Sequence, residues 1–518
     1  MLDFRAAVCA ALLLFVSPKF AQAQDVTLSS PDGVVEITGN LLGFDGEFYR
    51  VETKFGELTL DGSGVSCDGP GCPSLSDFVA EVTLSGSANM AEVLLPALIE
   101  GFALRNGYQT RRETLSGGDF DYTLLRPDGA PAARFSFLVG TTDDGFRDLI
   151  AQEADIVMAL REMRPGEQTQ ARAVGLGDMT TASRSRIVAL DAMVPVVSRE
   201  NPVTRISLPQ LAAVFSGEID NWQVLGGPDA PISLHLPVAG SGMTQAFQDR
   251  VLAASDRQLA GGLRYHEREK NLVRRVATDP FAIGMASFSD TGTARMLTLT
   301  GPCGFSLRAN RRGIKTEDYP LTAPMFLYLP QRRLPKVARD FLGYVRGPGA
   351  QIVIRRAGFV DQAPEMISLN AQGDRLSNAI LAAGPEVDLA ELQRLVQVLS
   401  GFQRLSISFR FETGSARPDA QSRSNIAQLA RALETGLYDG KTLKFVGFSD
   451  GEGPASGNRA IAIKRAKGVQ RAVLEAAETI GVERVDLEVD GFGEALPMAC
   501  DDSDWGRQVN RRVEVWVR

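Results

Sequence analysis

Apolar and polar positions divide this chain into four regions of different periodicity. Residues 24–78 hold short, partly alternating runs at 26–28, 34–37, 48–51 and 58–60, separated by Pro31-Asp32-Gly33, Asp45-Gly46 and Phe55-Gly56. Alternation between turn residues predicts a small β unit, a barrel or meander. From 79 to 365 apolar strand-like runs alternate with helical ones, the pattern of an α/β domain. The first pair is a strand at 79–84, then Ser85-Gly86-Ser87-Ala88-Asn89 and an apolar helical run at 90–99. Residues 366–402 lack the Gly, Ser and Pro enrichment of a flexible tether. Asp388 and Glu391 have capping-box spacing there, and Leu392, Leu395, Val396 and Leu399 form one helical stripe expected to dock on a neighbour. In 403–518, 405–411 alternates as a half-buried strand, and Ile426, Leu429, Ala430 and Leu433 mark a helix after Pro418. Strands at 443–448, 485–490 and 512–517 complete a β-α-β-α-β order with one more strand, an α/β sandwich with helices on one face.

Composition narrows the setting. Residues 1–23 read as a secretory leader: Arg5, an apolar stretch at 10–16, and Ala21-Gln22-Ala23 before Gln24. Pro18 and Lys19 cut that stretch short of a membrane span, so an exported, soluble mature protein is expected. A length of 518 residues leaves room for about three or four domains. The net charge of −8 argues against a nucleic-acid partner. Of five cysteines, Cys9 falls in the leader. Cys67 and Cys72 flank Asp-Gly-Pro-Gly, and an oxidising compartment favours a disulfide there. A metal pair is the competing reading, with no nearby Cys or His to complete it. Pairing of Cys303 with Cys500 stays open. The two histidines, His235 and His266, join no catalytic grouping, and neither a metal site nor a cofactor is expected.

The candidate chemistry begins at Gly447-Phe448-Ser449-Asp450-Gly451-Glu452-Gly453. A carboxylate sits on a glycine-rich loop after a strand, and Arg465 follows two turns into a helix begun near Ser456 or Asn458. Ile461, Ala462, Ala466, Val469 and Val473 give that helix its apolar face. An Asp and an Arg over one hollow suit a zwitterion, the carboxylate taking an ammonium and the guanidinium a carboxylate. Together with Gly491-Phe492-Gly493-Glu494 and Asn510-Arg511-Arg512-Val513-Glu514, these motifs resemble the OmpA-like peptidoglycan-binding domain over about 403–518. The resemblance implies that Asp450 and Arg465 hold diaminopimelate, with Asn458 and one of Arg511 or Arg512 in support. Where the family usually has His-Thr, this chain has Phe448-Ser449.

Residues 79–365 carry a second resemblance. Val188-Ala189-Leu190-Asp191, Asn201-Pro202, Phe215-Ser216-Gly217-Glu218, Asn221-Trp222, Gly240-Ser241-Gly242, Ala282-Ile283-Gly284 and Tyr319-Pro320-Leu321 stand in the order of the phosphate-type substrate-binding proteins of ABC transporters. It implies a type II periplasmic-binding fold, two lobes joined by two crossings around a cleft where helix N-termini meet a small oxyanion. Several family contacts are replaced: the hydroxyl and adjacent acid by Ala159 and Leu160, the anion-pairing Arg by Pro237, and a Thr by Met243. Asn89, the Met90 backbone, Thr141 or Thr142, Ser241 and Gly242 remain, and Arg161 stands as a substitute cation. Loss of the full positive charge removes roughly 1.5–3 kcal/mol.

The expectation is a multidomain α/β chain: leader (1–23), small β domain (24–78), two-lobed domain (79–365), helical connector (366–402) and OmpA-like domain (403–518). Functionally it reads as a non-catalytic periplasmic binding protein anchored to peptidoglycan near the outer membrane. The alternative is a working phosphate receptor of an ABC importer. Expected partners are peptidoglycan, phosphate or another small oxyanion, and an ABC permease or an outer-membrane protein.

Overall fold

The computed structural model describes residues 25–518 apart from 76, 302, 413–414, 416, 478, 480–483 and 503. The leader assigned to 1–23 lies outside the described residues. The chain divides into two units: one ends at Ala80 and takes in Pro335–Val337, and the other holds the remainder. No helix among the described residues is long and apolar enough to cross a membrane.

The smaller unit is an antiparallel five-stranded sheet in the order Gly56–Asp61, Phe48–Thr53, Glu36–Phe44, Asp25–Ser29, Ser66–Asp68. Its first four strands form a meander, and the fifth, absent from the sequence expectation, returns to pair with the first. Val26, Leu28, Tyr49 and Val51 are its fully buried apolar side chains. So small a core leaves room for covalent help. The Cys67–Cys72 disulfide supplies it, beside the strand Ser66–Asp68.

In the larger unit, Ala80–Ser87 and Ile156–Ala159 pair in parallel. The same sheet runs outward through Pro131–Gly140, Phe120–Leu125 and Gln109–Thr114. Ser233–Pro237, flanked in parallel by Arg264–His266 and Ala282–Ser287, makes the second half. One 13-residue strand, Ser185–Val197, joins the halves. Ser185 to Ala192 pair with Thr322–Tyr328, and Met193 to Val197 pair with Ala282–Ser287. Eleven consecutive buried residues, Ile187 to Val197, explain its unbroken apolar run, since it is covered throughout rather than on one face.

The last sheet has the order Met366–Ser368, Gln403–Arg410, Arg512–Val517, Thr442–Gly447, Asp486–Gly491. Leu443, Phe445, Val513, Val515 and Val517 face the helices Ala420–Glu434 and Ala455–Ala476. The opposite face was expected to be open and is not. Val446, Phe448 and Trp516 pack there against Ala379, Leu395 and Leu399 of the helices Gly373–Leu381 and Leu389–Leu399. Asp388 caps the second of these, accepting from the Glu391 amide at 2.9 Å. Val396 is left 41% exposed, so the docking stripe is narrower than its sequence spacing.

The two-lobed and last segments are joined covalently and ionically. Cys303 and Cys500 form a disulfide across 197 residues. Arg404 donates to Asp318 at 2.7 and 3.0 Å, and Arg410 to Glu317 at 3.2 Å.

Candidate functional site

Two sites were anticipated, one around Asp450 and Arg465 and one in the cleft of the two-lobed domain. Thr442–Gly447 and Asp486–Gly491 run parallel and end on a Gly447–Gly491 pair. The helix Ala455–Ala476 crosses directly over that pair. A Cβ at Gly447 would collide with the Ala462 carbonyl oxygen, and one at Gly491 would lie 2.7 Å from Ile463 Cγ1. Glycine at both strand ends lets the helix close down, with Arg465 within electrostatic reach of Asp450. Ala462, Ala466, Val469 and Val473 form its buried stripe, while Ile461 is 47% exposed. Neither Ser456 nor Asn458 caps this helix. Pro454 is its N-cap residue, and the Ala455 N–H donates to Glu386 of the preceding helical segment at 2.9 Å.

Asp450 is buried and accepts from Arg511 Nη1 at 2.5 Å. Arg465 is half-buried, with its guanidinium 5.7 Å from the Phe411 ring centroid. It has no hydrogen-bonded or ion-paired partner among the described residues. Burial pushes its pKa down, Arg511 adds to this, and Asp450 opposes it. Arg511 thus holds the carboxylate directly, and Arg465 feels it only through the longer-range field. Asn458 is buried one turn into the helix, donating to the Gly453 carbonyl at 3.3 Å and to Glu494. It positions the loop rather than facing outward. Arg512 turns the other way. It is fully buried, donating to Glu514 at 2.8 Å and to the Leu496 carbonyl at 2.9 Å, above the Phe448 ring at 4.2 Å. Arg511 stands in the bend between the helix Asp504–Asn510 and the strand that begins at Arg512, and of the two only Arg511 reaches Asp450. Phe448 is the residue that makes this inner face apolar. Sequence reasoning missed Asp501, whose carboxylate accepts from the Gly451 N–H at 2.7 Å and ties down the Asp450 loop.

The central hollow, about 450 Å³, is lined by Asn89, Thr141, Thr142, Ser241 and Gly242. Part of their hydrogen-bonding capacity is already used, although the Thr142 and Ser241 hydroxyls only accept and keep an O–H to donate among the described residues. Asn89 Nδ2 donates to Ser287 Oγ at 3.0 Å. Thr141 caps the helix Thr142–Ile150 in a reciprocal box with Asp144. Thr142 Oγ1 accepts from the Leu160 amide at 3.2 Å, and Ser241 Oγ accepts from Met243 at 3.3 Å. Met90 is fully buried and does not line the hollow. Arg161 is no substitute cation. Its guanidinium is buried against Asp143 at 2.6 Å and Glu167 at 2.7 and 2.8 Å, outside the lining. The charged lining instead comes from Glu92, Glu267, Arg268, Glu269, Lys270 and Asp290, with Arg268 paired to Glu92. Burial, and secondarily Asp191, raises the Glu269 pKa to about 8. The run Glu267-Arg268-Glu269-Lys270 was the available signal, overlooked because it reads as a solvated helix start.

A split sheet joined by a shared strand, with helix starts meeting in a hollow between its halves, defines a two-lobed binding protein. The chain belongs to the PBP superfamily, whose domain matches residues 77–347, and residues 410–511 match the OmpA family. Over 235 residues it is 27% identical to Protein SphX of Synechococcus elongatus, covering 43% of this chain and 67% of that one. Over 192 residues it is 28% identical to the phosphate-binding protein PstS of Bacillus subtilis, covering 36% of this chain and 60% of that one. This chain therefore spans about two thirds or less of these relatives. A putative phosphate ABC transporter substrate-binding protein from Clostridium perfringens, solved with bound phosphate, superposes with a TM-score of 0.42 at 20% identity. That match covers 54% of this chain and 99% of that one.

Proposed function

We propose that the chain is a non-catalytic binding protein of the periplasm, held on peptidoglycan near the outer membrane by its last domain. The two-lobed domain then offers its cleft to a small ligand or a partner protein. The observation that carries this reading is Arg465, a half-buried guanidinium over the Phe411 ring with no hydrogen-bonded or ion-paired partner among the described residues, within electrostatic reach of the Asp450–Arg511 pair. A diaminopimelate side chain complements that arrangement: its carboxylate meets Arg465 and its ammonium meets Asp450. Each contact is worth roughly 1.5–3 kcal/mol, or one to two decades of affinity. Co-sedimentation with purified peptidoglycan tests it. Wild type is expected in the pellet, and Asp450→Ala and Arg465→Ala in the supernatant. Equal pelleting of all three would overturn the anchoring role.

A working phosphate receptor, delivering to an ABC permease, is the second reading. The helix starts at Asn89, Thr141 and Ser241 favour it by lining one hollow, and a relative is named for phosphate binding. Against it stand four acidic side chains facing two basic ones, Arg268 and Lys270. We therefore favour weak or altered oxyanion binding. Calorimetric titration of the full chain with phosphate separates the two: micromolar affinity would establish the receptor.

A further inference from the structure

A second cavity, about 380 Å³, lies away from both sites, where the two-lobed domain meets the last one. Arg186 enters it from the shared strand Ser185–Val197, Arg346 from just beyond the helix Lys336–Val345, and Arg431 from the helix Ala420–Glu434. Arg423 also lines the wall but is paired with Glu412 at 3.3 Å. The other three have no acidic partner within salt-bridge distance among the described residues, and no acid lines the cavity. Arg186 Nε is buried without any hydrogen bond, as is Gln428 Oε1. Burial and then the charges of Arg346, Arg184 and Arg431 lower the Arg186 pKa to about 10. Burial and Arg431 act in the same direction on Arg346. Arg346 and Arg431 stand at exposed positions where water screens them, so the repulsion bears most on the partly buried Arg186, which an anion in the cavity would relieve. Ser183, Ser185 and Ser424 add hydroxyls, and Ile187, Leu342 and Val345 give an apolar side.

We propose that this inter-domain cavity is a binding site for a small organic polyanion, one bearing two or more phosphate or carboxylate charges. Guanidinium forks match such oxyanions in planar, bidentate fashion. The volume falls within the ~300–1,000 Å³ range of small-molecule sites. The hydroxyls and apolar wall would hold a carbon skeleton. Because the walls come from both domains, the occupant would bridge them. At the rim, Gln428 already donates to the Gln362 carbonyl at 2.5 Å and Gln362 to the Ile187 carbonyl at 2.8 Å.

Titration calorimetry on the full chain, with pyrophosphate and citrate as separate probes, tests the site. Pyrophosphate supplies phosphate charge alone, and citrate supplies carboxylates on carbon. One-to-one binding of at least one probe is expected in wild type. Arg346→Glu and Arg431→Glu, both at exposed positions, should each weaken it by at least about tenfold. Circular dichroism of each variant checks that it is folded. Ser241→Asp, which adds a negative charge to the central hollow, should leave binding within about twofold, because that hollow is a separate site. The proposal fails if wild type binds neither probe at millimolar concentration. It fails equally if Ser241→Asp weakens binding as much as Arg346→Glu does.

Discussion

Glu514 is the side chain whose neutralisation should cost the last domain most. It is fully buried on the sheet face covered by the helix Gly373–Leu381. Its carboxylate accepts from Arg375, from Arg512 Nε at 2.8 Å and from Trp516 Nε1 at 3.2 Å, and Arg404 Nε lies 3.4 Å away. Burial alone would raise its pKa, but the Arg375, Arg404 and Arg512 guanidiniums outweigh it and hold the carboxyl far below the usual range. Glu514→Gln keeps the shape and leaves three buried guanidiniums facing Asp318 alone. Removing one partner of a buried pair costs about 3–5 kcal/mol. With a urea m-value near 2 kcal/mol/M, the midpoint should fall by about 1.5–2.5 M. Unfolding followed by circular dichroism reads this directly, and Arg375→Met in the same background should recover at least about 1 kcal/mol. The pH dependence has a definite sign. A depressed carboxyl contributes fully above its unfolded pKa of about 4.3, and the contribution is lost as pH falls toward the folded value. Wild type should therefore lose stability below about pH 4 more steeply than Glu514→Gln. A midpoint change under about 0.3 M would refute the view that this carboxylate compensates the arginines.

Cys500→Ser opens a loop of 197 residues, for which chain entropy gives about 5 kcal/mol; limited proteolysis should then release the last domain as a separate fragment. Cys72→Ser opens a much shorter loop and should cost the small β unit about 2 kcal/mol, read as a lower unfolding midpoint for that unit. Glu269, with its pKa raised to about 8, keeps its proton in the folded state where the unfolded chain has lost it. Wild type should thus lose up to about 1.4 kcal/mol of stability per pH unit between about pH 5 and 8, a slope Glu269→Gln should flatten.

The strand Arg512–Val517 marks how far sequence could reach. Its polar–apolar alternation reads as one wet face and one dry, and it did identify a strand of an α/β sandwich. Yet all six residues are buried. The polar face lies under helices from the preceding segment, where Arg375 meets Glu514. Local periodicity cannot register a cover that arrives from more than a hundred residues away. For the same reason Arg511 and Arg512 could not be told apart as partners of Asp450, and Arg161 could stand as a substitute cation. Asp143 and Glu167, which neutralise Arg161, are ordinary acids until the fold brings them to it. The α/β class and the glycine loop were legible because their signals are local, in turn residues and apolar runs, while the two lobes were implied by the resemblance in motif order. The Cys303–Cys500 pairing was not, since spacing alone cannot choose between distant thiols.

That disulfide also sets a path for mechanical load. Cys500 is followed directly by Asp501, which grips the Gly451 amide beside Asp450. A pull on the two-lobed domain would pass through covalent sulfur to Asp501 and, by its hydrogen bond, to the Asp450 loop, bypassing the segment 366–402. Load would then reach that loop without first unpacking the helices of that segment from the sheet they cover.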